Sequence, residues 1–111
     1  FRRVLFRSWI QRQDTGHTRA WTAASLLGIV DAWWPATYAS FPSVTEIRPM
    51  ATVAFHGHLL EEPGTVPASE PLLFESWVNG AWDGFVSESR RLWAKDGRLV
   101  VENTQNIVVV A

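Results

Sequence analysis

Residues 98–110 read RLVVENTQNIVVV, directly after an Asp-Gly pair at Asp96 and Gly97. No other stretch constrains the fold as strongly. In an extended chain, side chains alternate with period two. Leu99, Val101, Ile107 and Val109 then share one face, and Asn103 and Gln105 point with them. Glu102, Thr104 and Asn106 take the other face. The apolar face therefore carries two amides. An unpaired buried amide costs about 1–3 kcal/mol. Two readings follow: the amides satisfy each other or the backbone, or they hold a water or a substrate carbonyl. Both stay open at this point. The Asp-Gly pair is a hairpin signal, so the segment has an antiparallel neighbour before it.

Strand patterning fills the second half of the chain. Residues 50–60 alternate, with Ala51, Val53 and Phe55 on one face and Thr52, Ala54, His56 and His58 on the other. Residues 72–78 and 85–94 are strand-like, and NGAWDG at 79–84 carries turn residues. Residues 61–71 form a polar connection with three prolines.

One helix precedes these strands. Leu26, Ile29, Val30 and Trp33 recur at three- and four-residue spacing, which predicts a helix over about 22–34. Thr18 or Thr22 is placed to cap its start. Pro35 breaks it, because the residue before a proline is biased away from helical geometry. A short second helix is expected from Pro35 to Ala39, then a loop to residue 49. Before the first helix, residues 9–12 suit a short strand. One helix followed by four antiparallel strands predicts an α+β fold, with the sheet wrapped around the helix.

The first eight residues, FRRVLFRS, are read as translated sequencing adapter and set aside from fold reasoning. The domain is then 9–111, cut from something longer. The chain has 10 basic and 11 acidic residues, net −1. Without Arg2, Arg3 and Arg7 it has 7 against 11, net −4, which is no nucleic-acid footprint. Hydrophobic residues make up 47%, so the chain can bury a core. It has no cysteine, which excludes disulfides and thiolate metal sites and fits a cytoplasmic protein. No apolar run approaches the ~20 residues of a membrane span. Seven tryptophans suit a cavity lining, a core or an interface.

Asp31 is the second anomaly. At about 100° per residue it lies about 40° beyond Leu27, at the edge of the helix's apolar arc. It is either a locally bonded acid near a helix end or a carboxylate that acts as a base or holds a water. His56 and His58 share a strand face but make only half a metal site, so an exposed pair is expected. Ser87 and Ser89 lack a nucleophile elbow. Arg90 and Arg91 are expected to be solvated surface arginines, with a phosphate contact as the alternative.

VDAWWPA (30–36), RPMATVAFHGHL (48–59) and LWAKDGRLVVENTQNIVVV (92–110) together resemble the double-hotdog acyl-CoA thioesterase superfamily. Their order is similar to that family's second hotdog unit. The resemblance implies a hotdog fold and the C-terminal half of a longer protein. It implies hydrolysis of an acyl-CoA to a free acid and CoA, with no cofactor and no metal. By position, Asp31 matches the family's helix aspartate and Gln105 its last-strand glutamine. Thr52 is the nearest match for its strand hydroxyl, although Met50 also aligns there. In that scheme Asp31 takes a proton from water, Gln105 orients the water, and a backbone N–H near a helix start holds the oxyanion. The implied partners are an acyl-CoA and a second hotdog unit. Two alternatives stand beside it. One is a non-catalytic hotdog domain for acyl binding or dimerisation. The other is a curved-sheet domain resembling the nuclear-transport-factor-like class.

Overall fold

The computed structural model describes residues 5–12, 19–33, 35–36 and 49–109. Among them one α-helix, α1 (Ala23–Asp31), packs across a five-stranded antiparallel sheet. The strands are β1 (Leu5–Ile10), β2 (Met50–Leu59), β3 (Leu72–Trp82), β4 (Phe85–Trp93) and β5 (Leu99–Val109), in spatial order β1-β3-β4-β5-β2. β1 and β2 are thus the sheet edges. One helix across an antiparallel sheet is the hotdog arrangement, and the nuclear-transport-factor-like reading falls.

The helix starts where its capping residue predicts. Thr22 is extended, and its Oγ1 accepts from the Ser25 backbone N–H at 3.1 Å. Ser25 Oγ accepts in return from the Thr22 N–H at 2.9 Å. Two of the free N–H groups of the first turn are so satisfied. The helix stops at Asp31, three residues short of the expected end. The second helix expected over 35–39 and the loop to residue 49 lie mostly outside the described residues, as does Thr18.

Leu26 and Val30 of α1 meet Phe74, Leu92 and Val101 of the sheet, all fully buried. Gly57 of β2 admits the helix, since a Cβ there would stand 2.7 Å from Leu27 Cδ2. A second apolar cluster of Ala36, Val78, Val86 and Ile107 continues the core toward the open end of β5.

Turn chemistry explains the β3–β4 hairpin and corrects one expectation. The turn is Asp83-Gly84 alone, with φ of 50° and 80°, which closes the Trp82–Phe85 pair. Positive φ at both central residues suits a two-residue hairpin. Asn79 is not in a turn. It sits at the irregularity between Val78 and Gly80, where β3 continues through it. The β4–β5 turn uses Gly97 at φ 93°, as the Asp-Gly signal predicts.

β1 runs from Leu5 to Ile10, earlier than the predicted 9–12, and pairs along β3 from Leu5–Trp77 to Ile10–Leu72. It includes residues set aside as adapter sequence. Edge addition is driven by main-chain bonds, and an alternating segment of any origin can supply them.

Candidate functional site

From Val101 onward β5 alternates as expected: Val101, Asn103, Gln105 and Ile107 are buried, and Thr104 and Asn106 are exposed. At its start the expectation is corrected, because the register against β4 shifts between Leu92 and Trp93, and Val100 is fully buried whereas Leu99 is only half-buried. Gln105 and Asn103 are each 1% exposed, so their amides need partners. Gln105 Nε2 donates to Asn103 Oδ1 at 2.9 Å and to Asp31 Oδ1 at 3.1 Å. Asn103 Nδ2 donates to the His56 carbonyl at 2.8 Å. The amide orientations are therefore determined, because the Asp31 carboxylate and the His56 carbonyl only accept. Gln105 Oε1 accepts from Thr52 Oγ1 at 3.3 Å. Asp31, Gln105 and Thr52 thus form one hydrogen-bonded line across α1, β5 and β2.

Thr52 reaches this line through a strand irregularity. Strict alternation would put Thr52 with His56 and His58, on the side away from Gln105. Instead the register shifts between Thr52 and Ala54, so Val53 is an extra residue. Thr52 pairs with Ile107, and Phe55 with Gln105. Thr52, Phe55 and Gly57 consequently share the helix-facing side, and the predicted face assignment of β2 is corrected. Met50 pairs with Val109 and packs on the second apolar cluster. The hydroxyl that contacts Gln105 is that of Thr52.

The line is open at both ends. Asp31 and Thr52 are exposed, whereas Gln105 is buried between them. Asp31 Oδ2 and the Thr52 hydroxyl oxygen can still take a solvent molecule. The N-terminal N–H groups of α1 do not join the cluster. The start of α1 lies eight residues from Asp31, about 12 Å along the helix at 1.5 Å per residue.

The other candidates lie on the opposite, outer face. Ser87 and Ser89 accept from Asn79 Nδ2 at 3.3 and 2.7 Å. Arg91 pairs with Glu102 at 3.5 Å and stacks over Trp77 at 4.9 Å. His56 and His58 are exposed. Among the described residues no three His, Asp or Glu side chains stand together in a way that could hold a metal ion.

Arg90 overturns its expectation. It is 2% exposed, not solvated, and its Nε donates to Glu88 Oε2 at 2.7 Å, with Glu88 completely buried. Arg90 Nη1 donates to the Val30 carbonyl at 3.0 Å. Glu88 Oε1 accepts from the Ala36 N–H. The signal was present in the sequence. Period two places Glu88 and Arg90 on the face of Val86 and Leu92, as opposite charges two residues apart on an apolar side.

A family model for the acyl-CoA thioesterase C-terminal domain matches residues 2–109. The chain belongs to that family. Among solved structures it is similar to a conserved hotdog-fold protein of unknown function from Alicyclobacillus acidocaldarius. That pair has a TM-score of 0.80 and 24% identity over 97% of this chain and 39% of the other. It is also similar to the E. coli PaaI protein from the phenylacetic acid degradation operon. There the TM-score is 0.68 and identity 13%, over 98% of this chain and 73% of the other. At these identities the likeness establishes the hotdog fold. No curated protein matches the chain. This thioesterase-family domain thus spans about two fifths of the Alicyclobacillus chain's length. None of its described helices is long and apolar enough to cross a membrane.

Proposed function

We propose that this domain hydrolyses an acyl-CoA thioester to a free acid and CoA, with Asp31 as general base. The observation that carries the reading is the Asp31–Gln105–Thr52 line, at 3.1 and 3.3 Å. It joins a solvent-reachable carboxylate to a buried, fixed amide. Asp31 takes a proton as water oxygen bonds to the thioester carbonyl carbon. The C–S bond then breaks, and CoA leaves as a thiolate that regains a proton. Gln105 and Thr52 hold the water in line with the carbonyl. Positioning of this kind supplies much of the rate that a side-chain base cannot.

The partners follow from the edge. Among the described residues β2 pairs only with β5, and it exposes Val53, Phe55 and Leu59. An edge of this kind is a template for strand pairing. Our reading is that a second hotdog unit covers it, either the other half of a longer chain or another copy. A cytoplasmic location belongs to the same reading and rests on the lack of cysteine.

The test is release of free CoA thiol by purified protein over several acyl-chain lengths. Asp31→Asn keeps the shape and removes the base, so turnover should fall by about 10²–10⁴-fold. Unchanged turnover in Asp31→Asn on every hydrolysed substrate refutes the mechanism. No hydrolysis by the unmutated protein moves the domain to acyl binding or dimerisation.

A further inference from the structure

We infer that the buried Glu88–Arg90 pair is a positioning device that holds Asp31 against Gln105. Asp31 is the last residue of α1 and is exposed, as is Ala32 after it, while the Trp33 ring packs on Phe6 and Phe74 at centroid distances of 5.5 and 6.2 Å. That stacking anchors the chain beyond the helix but does not touch the peptide that carries Asp31. A helix of nine residues is marginal by itself, and of its last carbonyls that of Ile29 accepts from the Ala32 N–H at 3.2 Å, whereas that of Val30 takes its donor from the sheet. Arg90 bonds the Val30 carbonyl at 3.0 Å, which is the peptide that carries Asp31. Glu88 takes the Ala36 N–H, five residues beyond Asp31. The two side chains are joined at 2.7 Å, so they form one bracket around residues 30–36.

Two further observations tie the bracket to the site. Glu88 is the ladder partner of Gln105, and Arg90 that of Asn103. The ion pair and the amide network are therefore adjacent rows of one sheet face. The guanidinium also lies at a helix C-terminus, where a cation meets the negative end of the dipole. A core of this size does not need the charges. An apolar pair of equal volume fills such a space at least as stably. An apolar pair cannot bind two backbone groups in a fixed geometry, and this pair does so. Arginine suits the task because its planar fork donates in two directions at once.

Arg90→Lys is the discriminating variant. It keeps the charge and the pairing with Glu88, but one nitrogen replaces the fork. The readout is the Gln105 side-chain amide resonance in the 111-residue chain, calibrated by the shift that Asp31→Asn causes. Leu92→Val, a buried packing change on the same strand, is the control for lost stability. Arg90→Lys should reproduce at least half of the Asp31→Asn shift, and Leu92→Val should leave the resonance in place. A resonance unmoved by Arg90→Lys, or moved equally by Leu92→Val, overturns the inference. If Arg90→Lys does not fold, Glu88→Gln is read in the same way: a moved resonance supports the bracket and an unmoved one overturns it.

The kinetic arm rests on the proposed function. Displacement of a reacting group by about 1 Å can cost about 10²-fold. Arg90→Lys should therefore lower kcat by about 10–100-fold with KM within about twofold. The two readings fail separately. Unaltered turnover in Asp31→Asn defeats the base, whereas an unmoved Gln105 resonance defeats the bracket.

Discussion

Replacing Gln105 by Met tests whether the amide network is a unit. The change keeps length and volume, so the cavity contribution is small. Three contacts are lost. The Asp31 carboxylate and the Thr52 hydroxyl are exposed, and water takes over there at little cost. Asn103 Oδ1 differs, because Asn103 is 1% exposed and Gln105 is its donor. Orphaning that one atom costs about 1–3 kcal/mol, and this should be nearly the whole effect. Asn103→Leu should cost a similar amount by the mirror-image route. It leaves one Gln105 N–H and the His56 carbonyl without their amide partner. In the double variant neither amide is orphaned by the other. Its loss should fall short of the two single losses combined by about 1 kcal/mol or more. Urea unfolding measures all four chains, provided the slope stays constant so that midpoints report stability. Additivity within about 0.5 kcal/mol would show two independent amides and refute the argument.

Two further outcomes follow from local contacts. Thr22→Ala removes the acceptor for the Ser25 N–H and should cost about 0.5–2 kcal/mol, read as a lower thermal midpoint. Asp96 is held below the usual carboxylate range by the Arg98 backbone N–H, with the Arg98 side chain adding to it. A depressed folded pKa stabilises the fold above the unfolded value, near pH 4, and that help is lost as pH falls through the folded value. A carboxyl-carbon NMR titration should place Asp96 low, and Arg98→Ala should raise its midpoint only in part because the backbone donor remains.

The sequence made most of this fold legible where one local rule acted alone. Alternation along β5 placed Gln105 and Asn103 inside, and the Thr22 cap and the Asp-Gly turns marked where elements begin and reverse. Asp31 and Gln105 stood out because each is polar where its element is apolar. The rest depended on tertiary partners. Nothing in Thr52-Val53-Ala54 marks an extra residue: no glycine is present, and the shift exists only relative to β5. The end of α1 at Asp31 follows from bonds to a strand some 60 residues away in sequence. The Asn-Gly pair at 79–80 carries a turn signal, yet Asn79 instead bonds Ser87, Ser89 and the Trp77 ring nitrogen.

The extra residue at Val53 divides β2 into two segments of opposite parity. Before it, even-numbered positions face the helix. After it, odd-numbered positions do. One edge strand can therefore show the helix a hydroxyl at its beginning and a glycine and a phenylalanine farther along, while both histidines remain outside. Counting by twos from a residue known in a related strand thus misassigns every position on the far side of the shift. Any comparison of β2 with another hotdog strand must be anchored separately on each half, at Ile107 for Thr52 and at Gln105 for Phe55.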